Sequence, residues 1–441
     1  MTNTATTRVA FDELLTSDAL SALMRSTWTW DDRALRRDLA ALLVDLDAVR
    51  FAPEKLKPAH VATLRARAHS SAARFVAAVL GPKLIADTGN PLRSGYLAAA
   101  IDPAVFDRTA GTSFTDVRAS TNDYVAVHTR DVDYPLESQW VTLVAAQGAD
   151  GLAQAMRGYG HSLSDSRFFA DIGMAWQVLR SSAIGDSGVA DSYAGRLLTG
   201  ELSATLAVAE QTGSWDPATV KTRAVETDDG WQITGRKQFV PATDGADVHL
   251  VIARSTAGPS LFAVDRSAPG LALTPLDVID PTKRLSQLDL SATPAVLVGT
   301  EGAGGRLMVA AIDAVTTALA AEQVGLIERA MGLLARHASD RSDAPDFATG
   351  VADMTLDHLA AAALWRRALA ERAADSAGAS AAAAAAHIGC SAAAMRSATA
   401  AAALLGPSEE TDAVLRRAIS SSLLFGGPAL SHERLLERLG V

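Results

Sequence analysis

The spacing of apolar positions divides the chain into a helical first part, a β-rich middle and a helical end. Apolar residues recur at helical spacing over Asp31–Val49 and Leu64–Leu80, within a mainly helical region from Phe11 to Arg180. The polar stretch Thr109–Tyr134 interrupts this pattern and holds one possible short strand, Tyr124–His128. The first part of the chain is therefore predicted to be a helical domain.

Strand alternation replaces helical spacing after Ala204. Thr222–Val225 alternates toward a turn at Asp228-Asp229-Gly230, and Trp231–Val240 and Val248–Arg254 follow as strands. This order predicts a β-meander. Three more strands are predicted downstream, at Leu261–Val264, Leu271–Val278 and Asp289–Val298.

Helical spacing returns after the glycine-rich segment Gly302–Gly305 and continues to the end of the chain. Four helices joined by short breaks predict a bundle: Leu307–Ser339, Ala348–Ala374, Ala379–Leu405 and Thr411–Leu424. The predicted fold class is α+β, mainly α. We predict three domains, at residues 1–200, 201–301 and 302–441.

Composition narrows the functional classes. A formal charge of −10 without a basic run argues against a nucleic-acid surface. The single cysteine, Cys390, cannot form an internal disulfide, and the histidines lack metal-ligand spacing, so no metal site is predicted. The Ala-rich tract is broken by His387, Gly389 and Arg396, so no membrane span is expected. We expect a cytoplasmic protein.

Short motifs in the β-rich middle are more specific than its strand pattern. Glu210 precedes a Gly-Ser turn, and a strand pair closed by W-x-x-x-G-x-K-x-F follows at Trp231–Phe239. A-D-x-x-x-x-x-A-R comes next, at Ala246–Arg254. In this order the motifs resemble the central domain of the acyl-CoA dehydrogenase family. The resemblance extends over roughly residues 165–441 through three further segments: Ile184–Leu206, Ala320–Leu334 and Leu415–Val441.

The resemblance implies both a fold and a reaction. The family fold has an N-terminal helical domain, a small central β-barrel or meander and a C-terminal four-helix bundle. In the family reaction, a carboxylate removes the α-proton of an acyl thioester while the β-hydride passes to FAD. The implied substrate is an acyl thioester on CoA or on an acyl-carrier protein.

The position that carries the catalytic base in many family members holds no acid in this chain. Counting from Arg416-Arg417-Ala418, that position is Phe425, or Gly426 if the loop is shifted. An alternative family position, early in the first bundle helix, corresponds to Val315. The nearest acid there, Asp313, lies on another helical face. The remaining candidate base is the Glu409-Glu410 pair, although the helix dipole favours their simpler interpretation as first-turn acids of a helix.

The implied flavin contacts are also altered. Ala209 stands where the family offers a threonine to the flavin ring, and Pro241 stands where an aromatic-x-Thr sequence offers a second hydroxyl. Phe239 keeps the aromatic wall, and Gly213 with Ser214 keeps the turn that serves the thioester or flavin.

The FAD diphosphate in the family is held across a subunit interface by an R-x-x-F-G motif and a glycine pair. Arg341 keeps only the arginine of that motif, and Gly406 keeps one glycine of the pair. A diphosphate needs several N–H or cationic donors to offset its desolvation. The resemblance therefore implies FAD, with fewer contacts than the family offers.

Three hypotheses follow. The first is a flavoprotein that desaturates an acyl thioester with an atypically placed base. The second is a non-catalytic or flavin-free subunit of a heteromer with a homologous, base-bearing chain. The third is a flavin-dependent monooxygenase of the same fold, which needs no glutamate base. The resemblance implies a homodimer, a tetramer or a heteromer, because the family's C-terminal helices pair across subunits.

Overall fold

The computed structural model describes residues 15–53, 56–81, 125, 134–185, 187–337 and 345–441. The chain divides into two compact units. Unit 1 takes its described residues from within 15–125, 330–407 and 428–441, and unit 2 comprises residues 133–329 and 408–427. The predicted three-domain division stays a prediction. The predicted strand at Tyr124–His128 and the site residue Arg341 lie outside the described residues, except for Val125, which is helical.

Helices α1 to α3 belong to unit 1 and confirm the helical spacing of the first part of the chain. They are Ser17–Ser26, Arg33–Arg50 and Pro58–Leu80. The Asp32 side chain begins α2 by accepting hydrogen bonds from the backbone N–H groups of Ala34 and Leu35, at 2.8 and 3.2 Å. Leu39, Leu42 and Leu43 are among the residues that α2 buries.

Unit 2 begins with short helices and then forms the strands. Its helices α4 to α7 are Trp140–Gln147, Ala149–Ser162, Gln177–Leu179 and Gly188–Thr199, with a π-helical segment at Phe169–Trp176. The strands β1 to β7 are Ala204–Ala207, Arg223–Thr227, Gly230–Pro241, Val248–Ser255, Gly258–Asp265, Leu271–Pro275 and Leu285–Val298.

The strands close into a small barrel. β2 and β3 form the predicted antiparallel hairpin, and the pairs β3–β7, β7–β5 and β5–β4 continue it. A single pairing between β2 and β4 completes the ring, while β1 joins β4 in parallel and β6 joins β7. The predicted meander is therefore wrong beyond β3. The buried run of β4 is near-continuous, which is the pattern of a central strand covered on both faces.

The C-terminal helices have nearly the predicted bounds. Helices α8 to α12 are Gly304–Arg336, Pro345–Ala373, Ala379–Leu405, Glu409–Leu423 and Gly427–Arg438. Helices α9 and α10 pack along each other in unit 1, and α2 packs against both. The Ser408 hydroxyl caps α11 by accepting from the backbone N–H of Thr411 at 3.2 Å.

Two described helices, α8 and α10, are long and apolar enough to cross a membrane by length and composition. A buried core helix meets the same criterion, so the expected absence of a membrane span stays a prediction. In their most apolar windows, 83% of α8 and 44% of α10 are buried inside the protein. Such burial of α8 is typical of a core helix.

His249 is a buried titratable group of the barrel. It lies on the same face of β4 as Val251 and Ala253, which belong to the barrel core, and it is 0% exposed. Burial, followed by the nearby charge of Arg167, lowers the pKa of His249 to about 4 from an ordinary 6.5. The folded protein therefore holds this ring neutral.

Replacing His249 with leucine is expected to flatten the acid limb of the stability curve. The unfolded chain takes up a proton here near pH 6.5 and the folded chain only near pH 4, so this neutral ring stabilises fully above pH 6.5 and less as pH falls. The difference amounts to roughly 3 kcal/mol between those pH values. Urea unfolding of both proteins from pH 7.5 to 4.5 measures how the unfolding free energy depends on pH. If the two proteins lose stability in parallel as pH falls, the assigned role of His249 is refuted.

Candidate functional site

A cavity of about 480 Å³ in unit 2 brings together four of the predicted site residues, Ala209, Gly213, Phe239 and Pro241. The loop after β1, the end of β3, residues 276–279 and the end of α11 form its walls. Most of the lining side chains are apolar. The polar side chains among them belong to Thr212, Gln238, Asp277 and Ser420.

Phe239 faces this cavity because β3 bulges there. The pairing of β3 with β7 shifts register between Lys237 and Val240, and Phe239 has a positive φ of 56°. A bulge turns a side chain away from its regular alternation. Phe239 is consequently 41% exposed, whereas Lys237 and Val240 on either side of it are buried.

The loop that carries Ala209 and Gly213 is held by a buried ion pair. Lys237 donates to the Glu210 carboxylate at 3.0 Å and to the carbonyl of Val208 at 2.9 Å. Glu210 also accepts from the backbone N–H and the hydroxyl of Thr222, at 2.9 and 2.8 Å. Burial lowers the pKa of Lys237 to about 8. Burial would raise the pKa of Glu210, but Lys237 and Thr222 lower it overall, so Glu210 acts as an anchor.

Phe425 fills the position at which the family resemblance implies a base. It is 6% exposed, and its ring meets the Trp215 ring edge-on at 4.8 Å and the Phe169 ring at 6.4 Å. Its φ of 62° is followed by positive values at Gly426 and Gly427, which turn the chain sharply after α11. An aromatic cluster therefore occupies this place, and Phe425 itself cannot accept a proton.

Glu409 and Glu410 lie in the first turn of α11 and are exposed. Glu410 accepts a 3.4 Å ion-pair contact from Arg329. Neither glutamate is among the described residues that line the cavity. The geometry is that of first-turn acids which complement the helix dipole. Their assignment as the base stays a prediction.

The other predicted contacts lie elsewhere. Ser214 follows Gly213, but its hydroxyl accepts from the backbone N–H of Asp216 at 3.0 Å, and Ser214 is not among the described lining residues. Gly406 ends α10 in unit 1 with a φ of 84°. Val315 is a fully buried apolar residue of α8. Four predicted site residues therefore converge, namely Ala209, Gly213, Phe239 and Pro241. We call the cavity of unit 2 that they line the ring-side cavity, because the family resemblance implies that it holds the flavin ring.

Asp277 is the carboxylate that sequence reasoning missed. It is exposed, and among the described lining residues it is the one acid. It comes two residues after β6, in a segment that contains none of the motifs that resemble the family. Only the path of the chain after β6 brings it to the cavity.

A second missed feature is a buried ionic network behind the cavity wall. Glu322 accepts from Lys283 at 2.7 Å, from Arg417 at 3.0 Å and from the Ser421 hydroxyl at 3.0 Å. Arg417 also pairs with Asp280 at 3.0 Å. All four charged residues are at most 6% exposed. Burial would raise the pKa of Glu322, but the charges of Lys283 and Arg417 lower it overall.

This network fixes two walls of the cavity with respect to each other. Asp280 and Lys283 belong to the segment that also carries Asp277, and Arg417 belongs to the helix that leads to Phe425. Glu322 on α8 binds both partners. The signal in the sequence was a polar pair, the charged Glu322 and the neutral Gln323, inside an apolar stretch of α8.

Comparison with known proteins supports the resemblance to the acyl-CoA dehydrogenase family. Residues 205–291 match the family model described as acyl-CoA dehydrogenase, middle domain. Acyl-CoA dehydrogenase FadE12 of Mycobacterium tuberculosis is 30% identical over 143 residues, which cover 30% of this chain and 37% of that protein. The chain thus spans a little over a third of the length of this relative.

Solved structures extend the likeness in fold. Butyryl-CoA dehydrogenase from Megasphaera elsdenii has a TM-score of 0.61 at 17% identity, with 75% of this chain and 100% of that chain covered. The ChsE4-ChsE5 complex from Mycobacterium tuberculosis has a TM-score of 0.57 at 20% identity, with 75% and 98% covered. The predicted fold class, mainly helical with a central small β-barrel and C-terminal helices, is confirmed. Residues 205–291 thus match the middle domain of the acyl-CoA dehydrogenase family, and the described chain has the fold of solved acyl-CoA dehydrogenases.

Proposed function

We propose that this chain is an acyl-CoA dehydrogenase-like flavoprotein that desaturates an acyl thioester, carried on CoA or a carrier protein, between its α and β carbons. The observation that carries the proposal is the convergence of Ala209, Gly213, Phe239 and Pro241 on one cavity. The family resemblance assigns Ala209, Phe239 and Pro241 to the flavin ring and the Gly213 turn to the thioester or the flavin. We further propose a cytoplasmic location.

The cavity suits the flat ring system of FAD better than it suits the rest of the cofactor. Phe239 and Trp215 supply aromatic walls, and the largely apolar lining favours a planar, uncharged group. Ala209 and Pro241 offer no side-chain donor. Among the described lining residues there is no cationic side chain for the diphosphate. The fit therefore supports a bound ring, with the diphosphate contacts supplied from outside this cavity.

The mouth of the cavity suits an apolar substrate. Phe239, Ile279 and Leu423 line it and are 41%, 51% and 59% exposed. Large apolar side chains grouped at a concave site mark a binding surface. They support an acyl chain as the part of the substrate that enters.

We propose Asp277 as the group that removes the α-proton, in place of the predicted Glu409 and Glu410. When bound, FAD accepts the β-hydride, so the protein has to supply a proton acceptor and a dry site. Asp277 shares the cavity with the ring-side residues and with Phe425. An acyl chain that covers the exposed carboxylate would exclude water from it.

The visible absorption spectrum of the purified protein tests the proposed function. Incubation with excess FAD and desalting should leave a bound flavin band, and anaerobic addition of acyl-CoA thioesters should bleach it. A protein that stays colourless after FAD incubation would refute the proposal. Bound flavin that no acyl thioester reduces would refute the desaturase activity but not the cofactor.

The Ala209→Thr variant is expected to bind FAD about tenfold more tightly than the natural chain. The substitution restores the hydroxyl that the family resemblance offers to the ring, which is the gain expected for one hydrogen bond. Ala209 lines the cavity, so the added atoms have room. Fluorescence titration with FAD measures the change. Ala257→Thr, in the exposed turn between β4 and β5, is the control and should bind like the natural chain.

The second candidate function is a non-catalytic or flavin-free subunit of a heteromer. It is favoured by Phe425, which fills the family's base position with an aromatic cluster. The ChsE4-ChsE5 structure, which resembles this chain in fold, is a complex. Light scattering of the isolated chain separates the cases. A homodimer or tetramer that retains FAD supports the desaturase, and a colourless protein favours the partner role.

A further inference from the structure

A second cavity, of about 720 Å³, lies within unit 1 between α3, α9 and α10. It is larger than the ring-side cavity of unit 2 and contains none of the predicted site residues. Its lining combines small and apolar residues with charged residues from all three helices. Its lining residues with a role in the argument are Arg67, Asp353, Met354, Asp357, Arg396 and Ser397.

Two arginines of this wall share one carboxylate. Asp357, whose side chain is 5% exposed, accepts from Arg67 at 2.5 Å and from Arg396 at 2.7 and 3.0 Å. Arg67 uses one of its five N–H groups in this contact, and Arg396 uses two. The arginine side chains are 32% and 47% exposed. The carboxylate thus holds two guanidinium groups in place, and most of their N–H groups make no hydrogen bond within the described part of the chain.

The buried hydroxyl of Ser397 lines the same cavity as the two arginines. Ser397 follows Arg396 on α10 and is 0% exposed, and its Oγ has no hydrogen-bond partner among the described residues. A buried hydroxyl without a partner costs about 1–3 kcal/mol. A serine inside a helix ordinarily bonds the carbonyl four residues earlier, and this one does not. The Ser397 hydroxyl can therefore donate a hydrogen bond for which the described residues provide no acceptor.

Asp353 is the one further carboxylate of the wall. It lies one turn before Asp357, so the two carboxylates and the two arginines balance when all four are charged. Burial, and then the charge of Asp357, raises the pKa of Asp353. Protonation of Asp353 leaves the wall with net positive charge.

We propose that this cavity binds an organic anion, with a phosphate or carboxylate group held between Arg67 and Arg396 and an apolar body against Met354 and the alanines of the wall. Guanidinium groups with parallel free N–H donors match the oxygens of both anions. The Ser397 hydroxyl would give the anion a further donor. The site is separate from the proposed flavin site, and its occupancy does not depend on FAD.

Isothermal titration of the full chain with three six-carbon probes tests the proposal. The probes are hexyl phosphate, hexanoate and 1-hexanol, which share the apolar body and differ in charge. At least one anionic probe should bind ten times or more as tightly as 1-hexanol, as expected for a charge-assisted contact. Whichever anion binds more tightly identifies the group that the site prefers. Binding that is equal for all three probes, or absent, would overturn the proposal.

Variants of Arg396 and Ser397 test whether the anion binds in this cavity. Arg396→Gln and Ser397→Ala should each weaken the favoured anion, by about tenfold for the arginine. Arg65→Gln is the matched control, because Arg65 is an exposed arginine of α3 that is not among the described lining residues. Removal of an unpaired buried hydroxyl leaves folding intact, so Ser397→Ala remains informative if the arginine variant fails to fold. Equal binding by Ser397→Ala, Arg396→Gln and the control would overturn the assignment.

Discussion

The Asp277→Asn variant is expected to lose turnover by on the order of 10²–10⁴-fold while its flavin spectrum stays unchanged. Asparagine has the shape of aspartate but cannot take up the α-proton. Asp277 lines the cavity with Phe239 and Pro241 and is exposed, so the substitution leaves no buried partner unsatisfied. Anaerobic single-turnover reduction of bound FAD by an acyl-CoA measures the loss. The oxidised spectrum before substrate addition reports cofactor retention.

The Glu410→Gln and Glu409→Gln variants provide the decisive comparison, because they test the base predicted from the sequence. If Asp277 is the base, both variants should reduce FAD at the natural rate. Loss of reduction in Glu410→Gln together with natural reduction in Asp277→Asn would instead assign the proton transfer to the first turn of α11. If all three variants reduce FAD normally, neither carboxylate site contains the base.

The elements of this chain were predictable because their patterns are local. Helical spacing predicted α10 to its observed bounds, and the Asp228-Asp229-Gly230 turn predicted the β2–β3 hairpin. The pairing of β4 with β1 and β5 was not predictable in the same way. Strand neighbours in a closed barrel are decided by contacts distant in sequence, and alternation within one strand does not specify them.

The part of the candidate site that local sequence motifs identify was predictable, and the part that depends on contacts distant in sequence was not. Ala209, Gly213, Phe239 and Pro241 belong to strand ends that the motif order identifies, and they share one cavity. Asp277 and the network around Glu322 come from segments without a recognisable motif. Their roles depend on burial and on charge pairing across three elements, which a linear count of residues does not reveal.

The largest effect on stability is expected from Arg417→Met, at about 3–5 kcal/mol of unfolding free energy. Arg417 is 0% exposed and is the partner of both Glu322 and Asp280. Methionine fills much of the volume but leaves two buried carboxylates facing Lys283 alone, with one negative charge uncompensated. The loss should also loosen the end of α11, which carries Phe425 into the cavity wall.

Arg416→Met is the matched control, because Arg416 is the exposed neighbour of Arg417 on the same helix. Its unfolding free energy should differ from that of the natural chain by no more than about 0.5 kcal/mol. Adding Asp280→Asn to Arg417→Met removes the uncompensated charge, so the double variant should recover part of the lost stability through a coupling of about 0.5–3 kcal/mol. Urea unfolding of the natural chain, Arg417→Met, Asp280→Asn and the double variant measures this coupling, and Arg416→Met is unfolded beside them. Equal losses in Arg416→Met and Arg417→Met would show that the buried network does not hold these walls together, and the rigid placement of Asp277 and Phe425 around the cavity would need another cause.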